Sequence, residues 1–301
     1  MFARVRVHIA LLSFVVLLTS TVYPQIDSAS CGTTTYFSQT QVGGYLVTSF
    51  GTVKALLIFI DFSDDNNDPT NPTWPVGTGP NFLNSIADET ETQNSGTYAN
   101  VSTFFKNMSY GQFRMIGKAY YVQAPHPLSW YISNHPGSEA HYSAQDAIQI
   151  LDQSVDFADF DRWTDSDYNH TQGPDGTIDM VFLCYRSWYS ASSFIAEGWW
   201  CAFLPSDVDV DNNTRRIVSC HAVDVVSMIQ YPRFEHLVHE FGHVWGLNHQ
   251  YASGFWSLMS HRYPGNTSFM NSFEREQLGW IAFHDNFLTA DGFNKRLWSI
   301  S

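Results

Sequence analysis

Basic residues are scarce in this sequence. The 301 residues include 15 lysines and arginines against 29 aspartates and glutamates, which gives a formal charge of −14. This balance repels a phosphate backbone and offers no basic stripe, so it excludes nucleic acid as a partner. Charged residues make up only 15% of the chain, whereas 44% are hydrophobic and 16% aromatic. The chain can therefore bury a substantial core, and it is not a disordered tail.

Long hydrophobic runs are also lacking. The longest is Ile9 to Leu18, which follows the basic residues Arg4 and Arg6. Ten positions, nine of them apolar, are too few to cross a hydrocarbon core, which needs about 20. This run therefore indicates a cleaved secretory signal rather than a membrane anchor. We assign residues 1–24 to the signal peptide and 25–50 to a short N-terminal or pro-segment. The protein is expected to be secreted, with no stable insertion in a membrane.

Cysteines number only four, and they form an even set: Cys31, Cys184, Cys201 and Cys220. In an oxidising compartment such a set predicts two disulfides. Cys201 and Cys220 flank a segment whose middle, Asp207 to Thr214, is polar and turn-like, as in a hairpin closed by a cross-strand bridge. A bond between Cys31 and Cys184 would then follow by elimination.

Glycosylation sequons agree with export. The chain contains five of them, at Asn100, Asn107, Asn169, Asn212 and Asn266. A single N-x-S/T triplet arises easily by chance, so the five have weight only because a signal peptide is also predicted. Together they predict a secreted glycoprotein.

Internal repeats and low-complexity linkers are absent from the sequence, which fits one domain. Apolar, β-branched runs predict buried strands, and apolar spacing of three and four predicts helices. The predicted strands are Val53 to Phe62, Phe113 to Val122 and Thr177 to Tyr185, and the predicted helices are Tyr98 to Met108 and Ser143 to Val155. Strands that alternate with helices favour an α/β arrangement around a largely parallel sheet.

An aspartate-rich stretch precedes the third strand. Its acidic residues are Asp161, Asp165, Asp167, Asp175 and Asp179. Oxygen ligands at this density are typical of a calcium site. Their spacing does not match an EF-hand loop, however, and Pro174-Asp175-Gly176 is an ordinary turn signal. The sequence leaves both interpretations of the stretch open.

The most informative segment reads HEFGHVWGLNH, from His239 to His249. His239 and His243 are four residues apart, so on a helix they aim two imidazoles at one point. Glu240 follows the first of them, at the position of a general base that activates water. Gly246 can take a positive φ and turn the chain back, which would bring His249 into the site as a third ligand. Three neutral imidazoles with one open position are the ligand set of catalytic zinc.

Chance does not account for this spacing. In a chain with 12 histidines among 301 residues, HExxH alone arises in roughly one random sequence in eighty. A glycine and a third histidine at fixed positions lower that to about one in ten thousand.

HExxHxxGxxH followed by a methionine turn is the signature of the metzincin peptidases, and this segment resembles it, with Met259 ten residues after His249. Four further segments resemble the immune inhibitor A-like peptidases and the related gametolysin group. They are the strand ending in IDF, TFFKNMSYGQFRMIG, DGTIDMV and SFEREQLGWI. These matches cover most of the chain from Val53 to Ile281. The third histidine, His249, favours gametolysin and the wider metzincins.

The resemblance implies a metzincin-like zincin domain over residues 51–301, with an upper lobe at 51–249, a smaller lower lobe at 250–301 and the cleft between them. A helix from about Arg233 to Gly246 would form the back wall of the cleft, and Met259 would lie beneath the metal. His261 stands where astacins and serralysins carry a tyrosine that approaches the metal, and a role as an oxyanion donor is left open. Some metzincins cap their zinc with a thiolate, which is the alternative to a disulfide for Cys31.

Together these observations predict a zinc metalloendopeptidase with Glu240 as the catalytic base, one zinc ion as cofactor and proteins or peptides as substrates. Three alternatives stay open: a zinc-binding secreted glycoprotein without peptidase activity, a structural glycoprotein, and a hydrolase of a non-peptide bond. HExxH specifies how water is activated and not what is attacked. The intact Glu240 argues against the first alternative, and the motif spacing argues against the second.

Overall fold

The computed structural model describes residues 42–65, 73–92, 100–164, 168–186, 207–218, 221–225, 234–247, 257–259 and 269–281. Several predictions from the sequence lie outside these ranges: the signal peptide, the disulfides through Cys31, Cys201 and Cys220, the third ligand His249, and His261, Asn266, Asp165 and Asp167.

The described elements are a mixture of strands and helices, as the sequence predicts, although they do not alternate strictly. In chain order they are β1 Gly51–Asp61, α1 Val101–Met108, β2 Phe113–Gln123, α2 Leu128–Asn134, α3 Glu139–Leu151, β3 Val181–Tyr185, β4 Val208–Val210, β5 Arg215–Ile217, β6 Ala222–Val225, α4 Phe234–Val244 and α5 Ser272–Gln277, with 3-10 turns at Leu83–Ser85 and Phe157–Phe160.

Four of the strands form a parallel sheet in the order β2-β1-β3-β6. β1 pairs with β2 along its whole length, from Gly51 opposite Phe113 to Asp61 opposite Gln123. Nine consecutive residues of β1 are buried, because both faces of the sheet are covered, as in parallel sheets generally. The predicted α/β arrangement around a largely parallel sheet is confirmed.

Helices cover the two faces of this sheet. Val53, Ala55, Leu57 and Phe59 of β1 belong to a core cluster that also contains buried residues of α1 and α4. The alternate residues of the same strand belong to a second cluster with α3 and the hairpin strands. Side chains alternate between the faces of a strand, so one strand serves both cores. The position of α4 against the first face determines where the HExxH residues lie.

Two predicted elements have bounds that differ by four residues from those in the structure. β3 begins at Val181 and not at Thr177, because the preceding residues bond elsewhere: the Ile178 amide donates to Arg216 and the Asp179 amide to Phe160. Helix α3 spans Glu139–Leu151, four residues earlier than predicted at both ends. Its first turn carries an acidic residue, which the helix dipole favours.

The hairpin predicted around Asp207 to Thr214 is present. β4 and β5 pair in antiparallel register, with Val208 opposite Ile217. Asp211, Asn212 and Asn213 turn the chain with positive φ angles, which these residue types tolerate better than most. Among the described residues, no helix is long and apolar enough to span a bilayer.

Residues 43–49, which the sequence analysis assigns to an N-terminal or pro-segment, are hydrogen-bonded to the ends of α4 and α5. The amides of Tyr45 and Leu46 donate to the carbonyls of Trp245 and Val244, at 3.2 and 3.1 Å. The indoles of Trp245 and Trp280 donate to the carbonyls of Thr48 and Ser49, at 3.1 and 2.7 Å, and the Ser49 hydroxyl donates to Leu278. This segment is thus an integral part of the folded unit that carries α4.

Candidate metal centre

His239 and His243 lie together on helix α4. Their ring centroids are 5.2 Å apart and the rings are nearly perpendicular, at 86°. Two imidazoles that bind one tetrahedral zinc ion through Nε2, with Zn–N distances of about 2.0 Å, have ring centroids about 5 Å apart. Both side chains are partly exposed. The observed separation therefore fits two ligands of a single zinc ion.

Each imidazole is oriented by a backbone carbonyl. Nδ1 of His239 lies 2.7 Å from the carbonyl oxygen of Leu258, and Nδ1 of His243 lies 3.1 Å from that of Leu247. A carbonyl oxygen only accepts, so Nδ1 carries the hydrogen in both rings and the lone pair of the neutral imidazole is on Nε2. A carbonyl that fixes the tautomer in this way is the usual outer partner of a metal-binding histidine.

The turn after α4 supplies one of these carbonyls. Gly246 has a φ of +82°, the Gly246 amide donates to His243 at 2.8 Å and the Leu247 amide donates to Gly242 at 2.9 Å. These two bonds form a Schellman motif, with Gly246 as the left-handed residue beyond the helix end. The motif places the Leu247 carbonyl on the ring of His243. The positive φ predicted for Gly246 is confirmed, while His249, three residues further on, lies beyond the described range.

The opposite side of α4 is anchored in the core. Leu237, Val238, Phe241 and Val244 are fully buried. The ring of Phe241 lies 5.4 Å from that of Phe105 in α1 and 4.4 Å from that of Trp245. A helix held in this way keeps its two histidines in a fixed relative position, as a metal site requires.

Glu240 lies beside the two histidines. A helix turns by about 100° per residue, so position 240 is about 60° from position 243 around the axis and about 100° from position 239. The side chain is only 6% exposed. The candidate base is therefore adjacent to both predicted ligands and largely shielded from bulk water.

Met259 packs against α4 at Gly242. The methionine is fully buried, as are Ser257 and Leu258 beside it. A Cβ atom at position 242 would lie 2.4 Å from the Met259 sulfur, so a side chain fits there only if Met259 moves. Met259 thus lies in contact with the helix between the two histidines.

Sequence reasoning missed one residue of this region, Glu274. It is fully buried in the first turn of α5, where it forms a capping box with Asn271. Its carboxylate also accepts from the Ser257 hydroxyl and from the amides of Leu258 and Met259. The Asn-x-x-Glu spacing could have indicated the capping box, but nothing in the sequence indicates the contacts with residues 257–259.

In the described part of the aspartate-rich stretch, carboxylates accept hydrogen bonds that hold the local backbone. Asp161 accepts from the amides of Asp175 and Gly176, at 2.9 and 3.0 Å, and from the guanidinium of Arg215 at 3.1 Å. Asp179 accepts from the amides of Arg162 and Trp163. In the ranges given above, no group of three or more histidine, cysteine or acidic side chains is arranged to hold a metal ion. Calcium binding stays a prediction.

Comparison with known proteins gives no family for this chain, because no family profile matches it and the search of curated proteins finds no significant match. We therefore infer its function from the sequence motif and from the geometry around His239 and His243.

Proposed function

We propose that this protein is a zinc-dependent endopeptidase in which His239, His243 and His249 hold one zinc ion and Glu240 is the general base. The observation that carries the proposal is the orientation of the two described histidines. Both rings donate from Nδ1 to carbonyl oxygens, which puts the lone pair of each neutral imidazole on Nε2, and their centroids are 5.2 Å apart. An arrangement that only filled the core would not need both rings in the same tautomer on one helix face.

The chemistry follows from these residues. When bound, zinc lowers the pKa of a coordinated water to about 7 and polarises the carbonyl that the water attacks. Glu240 accepts the proton of the attacking water on its carboxylate and then delivers it to the leaving amine nitrogen. Glu240 is only 6% exposed, which keeps competing water away from its carboxylate. No covalent intermediate is required.

A metzincin-like zincin domain is the finer fold that we propose within the observed α/β arrangement. It is supported by the HExxHxxGxxH motif, by the turn at Gly246 and by the contact of Met259 with the active-site helix. The upper lobe would comprise residues 51–249 and the lower lobe residues 250–301. Residues 43–49 pack on α4 and α5, so the folded unit begins before position 51. A signal peptide, secretion, glycosylation and two disulfides complete the proposal.

Metal content tests the ligand assignment. Purified wild-type protein is dialysed against zinc and then against metal-free buffer, and its zinc is measured by atomic spectrometry. We expect about one zinc per chain in the wild type and none retained in His239→Ala and His243→Ala. His126→Ala is the matched control, because it removes an imidazole that stacks on Trp130 outside the site. Equal zinc retention in all four proteins would contradict the assignment.

A further inference from the structure

We propose that Glu274 is a positioning residue for the zinc ligand His239, acting through the peptide bond between Leu258 and Met259; this inference rests on the function proposed above. The Met259 amide of that peptide donates to Glu274 Oε1 at 2.9 Å. The Leu258 carbonyl of the same peptide accepts from His239 Nδ1 at 2.7 Å. A trans peptide points its N–H and C=O in opposite directions, so one rigid unit joins the carboxylate to the imidazole.

The carboxylate is well suited to hold this peptide. Its Oε1 accepts from the Ser257 hydroxyl and the Met259 amide, and its Oε2 accepts from the amides of Leu258 and Asn271, at 3.3 and 2.7 Å. All four partners are donors, so both oxygens act as acceptors. Glu274 is fully buried, which excludes water as a substitute for any of these bonds.

The chain of bonds has an electronic consequence. A negative carboxylate at the N–H end polarises the peptide and makes its carbonyl a stronger acceptor, because hydrogen bonds in series reinforce one another in a low-dielectric interior. A stronger acceptor at Nδ1 fixes the ring orientation of His239 and raises the basicity of its Nε2, as a carboxylate does in carboxylate–histidine–zinc triads. Here a peptide bond stands between the carboxylate and the histidine.

A different role for Glu274 would be to stabilise only the fold, by joining α5 to the turn at residues 257–259. That role would lower the stability of the metal-free protein but leave the zinc affinity of the folded molecules unchanged. Zinc affinity and stability must therefore be measured separately.

The test compares Glu274→Gln with two controls. Glutamine has nearly the same shape but presents an NH2 group to donors on one side, and it removes the charge. Glu276→Gln removes a charge from the same helix at a partly exposed position. His126→Ala removes an imidazole that stacks on Trp130 outside the site.

Zinc dissociation constants are measured by competition with a chromophoric chelator, at a temperature where circular dichroism shows each metal-free variant to be folded. We expect Glu274→Gln to bind zinc about 10- to 100-fold more weakly than wild type, with both controls within about threefold of it. The absorption spectrum of the cobalt-loaded protein should also change in Glu274→Gln alone, since it reports the ligand field.

A folded Glu274→Gln protein with the zinc affinity of Glu276→Gln would overturn the inference and leave the proposed function intact. A wild-type protein that binds no zinc would overturn both. If Glu274→Gln does not fold, Glu274→Asp decides the question, because it keeps the charge but reaches less far. Zinc binding several-fold weaker than wild type supports the inference, and unchanged binding overturns it.

Discussion

Gly242 and Met259 are in such close contact that a Cβ atom at position 242 would lie 2.4 Å from the methionine sulfur. Gly242 lies within α4, between Glu240 and His243, and Met259 is fully buried beneath it. This contact sets the distance between α4 and the turn that carries Leu258. Substitutions at position 242 therefore test how tightly the candidate site is packed.

Gly242→Ala is expected to destabilise the protein. In an exposed helix the same change would stabilise by about 1 kcal/mol, because alanine is the better helix former. Here the added methyl group overpacks the core, at a cost of about 1–3 kcal/mol. The free energy of unfolding in urea measures the effect. In a Met259→Ala background the clash is absent, so there Gly242→Ala should be neutral or stabilising. A stabilising effect in the wild type would contradict the packing described above.

The N-terminal segment offers a second prediction. A chain that starts at residue 42 keeps the hydrogen bonds from residues 43–49 to α4 and α5. We expect it to have the same unfolding temperature as the full-length protein. A chain that starts at residue 51 loses those bonds and the buried side chain of Val47. We expect a loss on the order of 3 kcal/mol or more. Thermal unfolding and the fluorescence of Trp245 and Trp280 report it. Equal stability of the two chains would show that the segment is a dispensable pro-segment.

We expect the free energy of unfolding to depend on pH because of Asp179. Burial raises the pKa of this carboxyl from 3.8 to about 7. The hydrogen bonds that it accepts from the amides of Arg162 and Trp163 act in the opposite direction and lower the pKa. Between pH 4 and 7 the folded protein therefore holds a proton that the unfolded chain has released. The free energy of unfolding should fall by a few kcal/mol as the pH rises through this window and then stay level.

Asp179→Asn isolates this contribution. Asparagine cannot titrate and still offers one carbonyl oxygen to the two amides. Urea unfolding at several pH values between 4 and 8 should therefore show a smaller decline in stability for the variant than for the wild type. The same decline in both proteins would assign the pH dependence to other groups.

The sequons differ in accessibility. Asn100 is 2% exposed, its side-chain oxygen accepts from the Thr103 amide at 2.8 Å as the N-cap of α1, and its Nδ2 donates to Asp88 at 3.1 Å. Asn107, Asn169 and Asn212 are exposed. Material secreted from a eukaryotic host should thus carry glycans at these three positions and none at Asn100. Glycopeptide mass spectrometry checks this, and a folded protein glycosylated at Asn100 would contradict the structure.

The parts of the fold that the sequence predicts well are those determined by local pattern. The apolar run of β1 and the spacing of α1 required no knowledge of their neighbours. The first strand was predicted to within two residues of β1 (Gly51–Asp61), and α1 was predicted to end at Met108, where the structure ends it. Helix α2 was not predicted, because seven residues with mixed aromatic and polar side chains give no clear periodicity.

In the candidate site, too, some features follow from local sequence pattern and others depend on tertiary packing. The pairing of His239 with His243 and the turn at Gly246 follow from helical spacing and from the freedom of glycine. The carbonyl of Leu258 on His239, 19 residues away, and the clamp by Glu274 depend on tertiary packing, which no local pattern encodes. The sequence therefore indicates the candidate ligands but not the groups that orient them.

The most direct test of the central claim is a comparison of the wild type with Glu240→Ala for bound zinc and for cleavage of a denatured protein substrate. The proposed function predicts about one zinc per chain in both proteins and cleavage by the wild type alone, with activity reduced by at least 100-fold in the variant. Glu276→Gln, on α5, should cleave like the wild type. A Glu240→Ala protein that cleaves at the wild-type rate, or a folded wild type without zinc, would contradict the account.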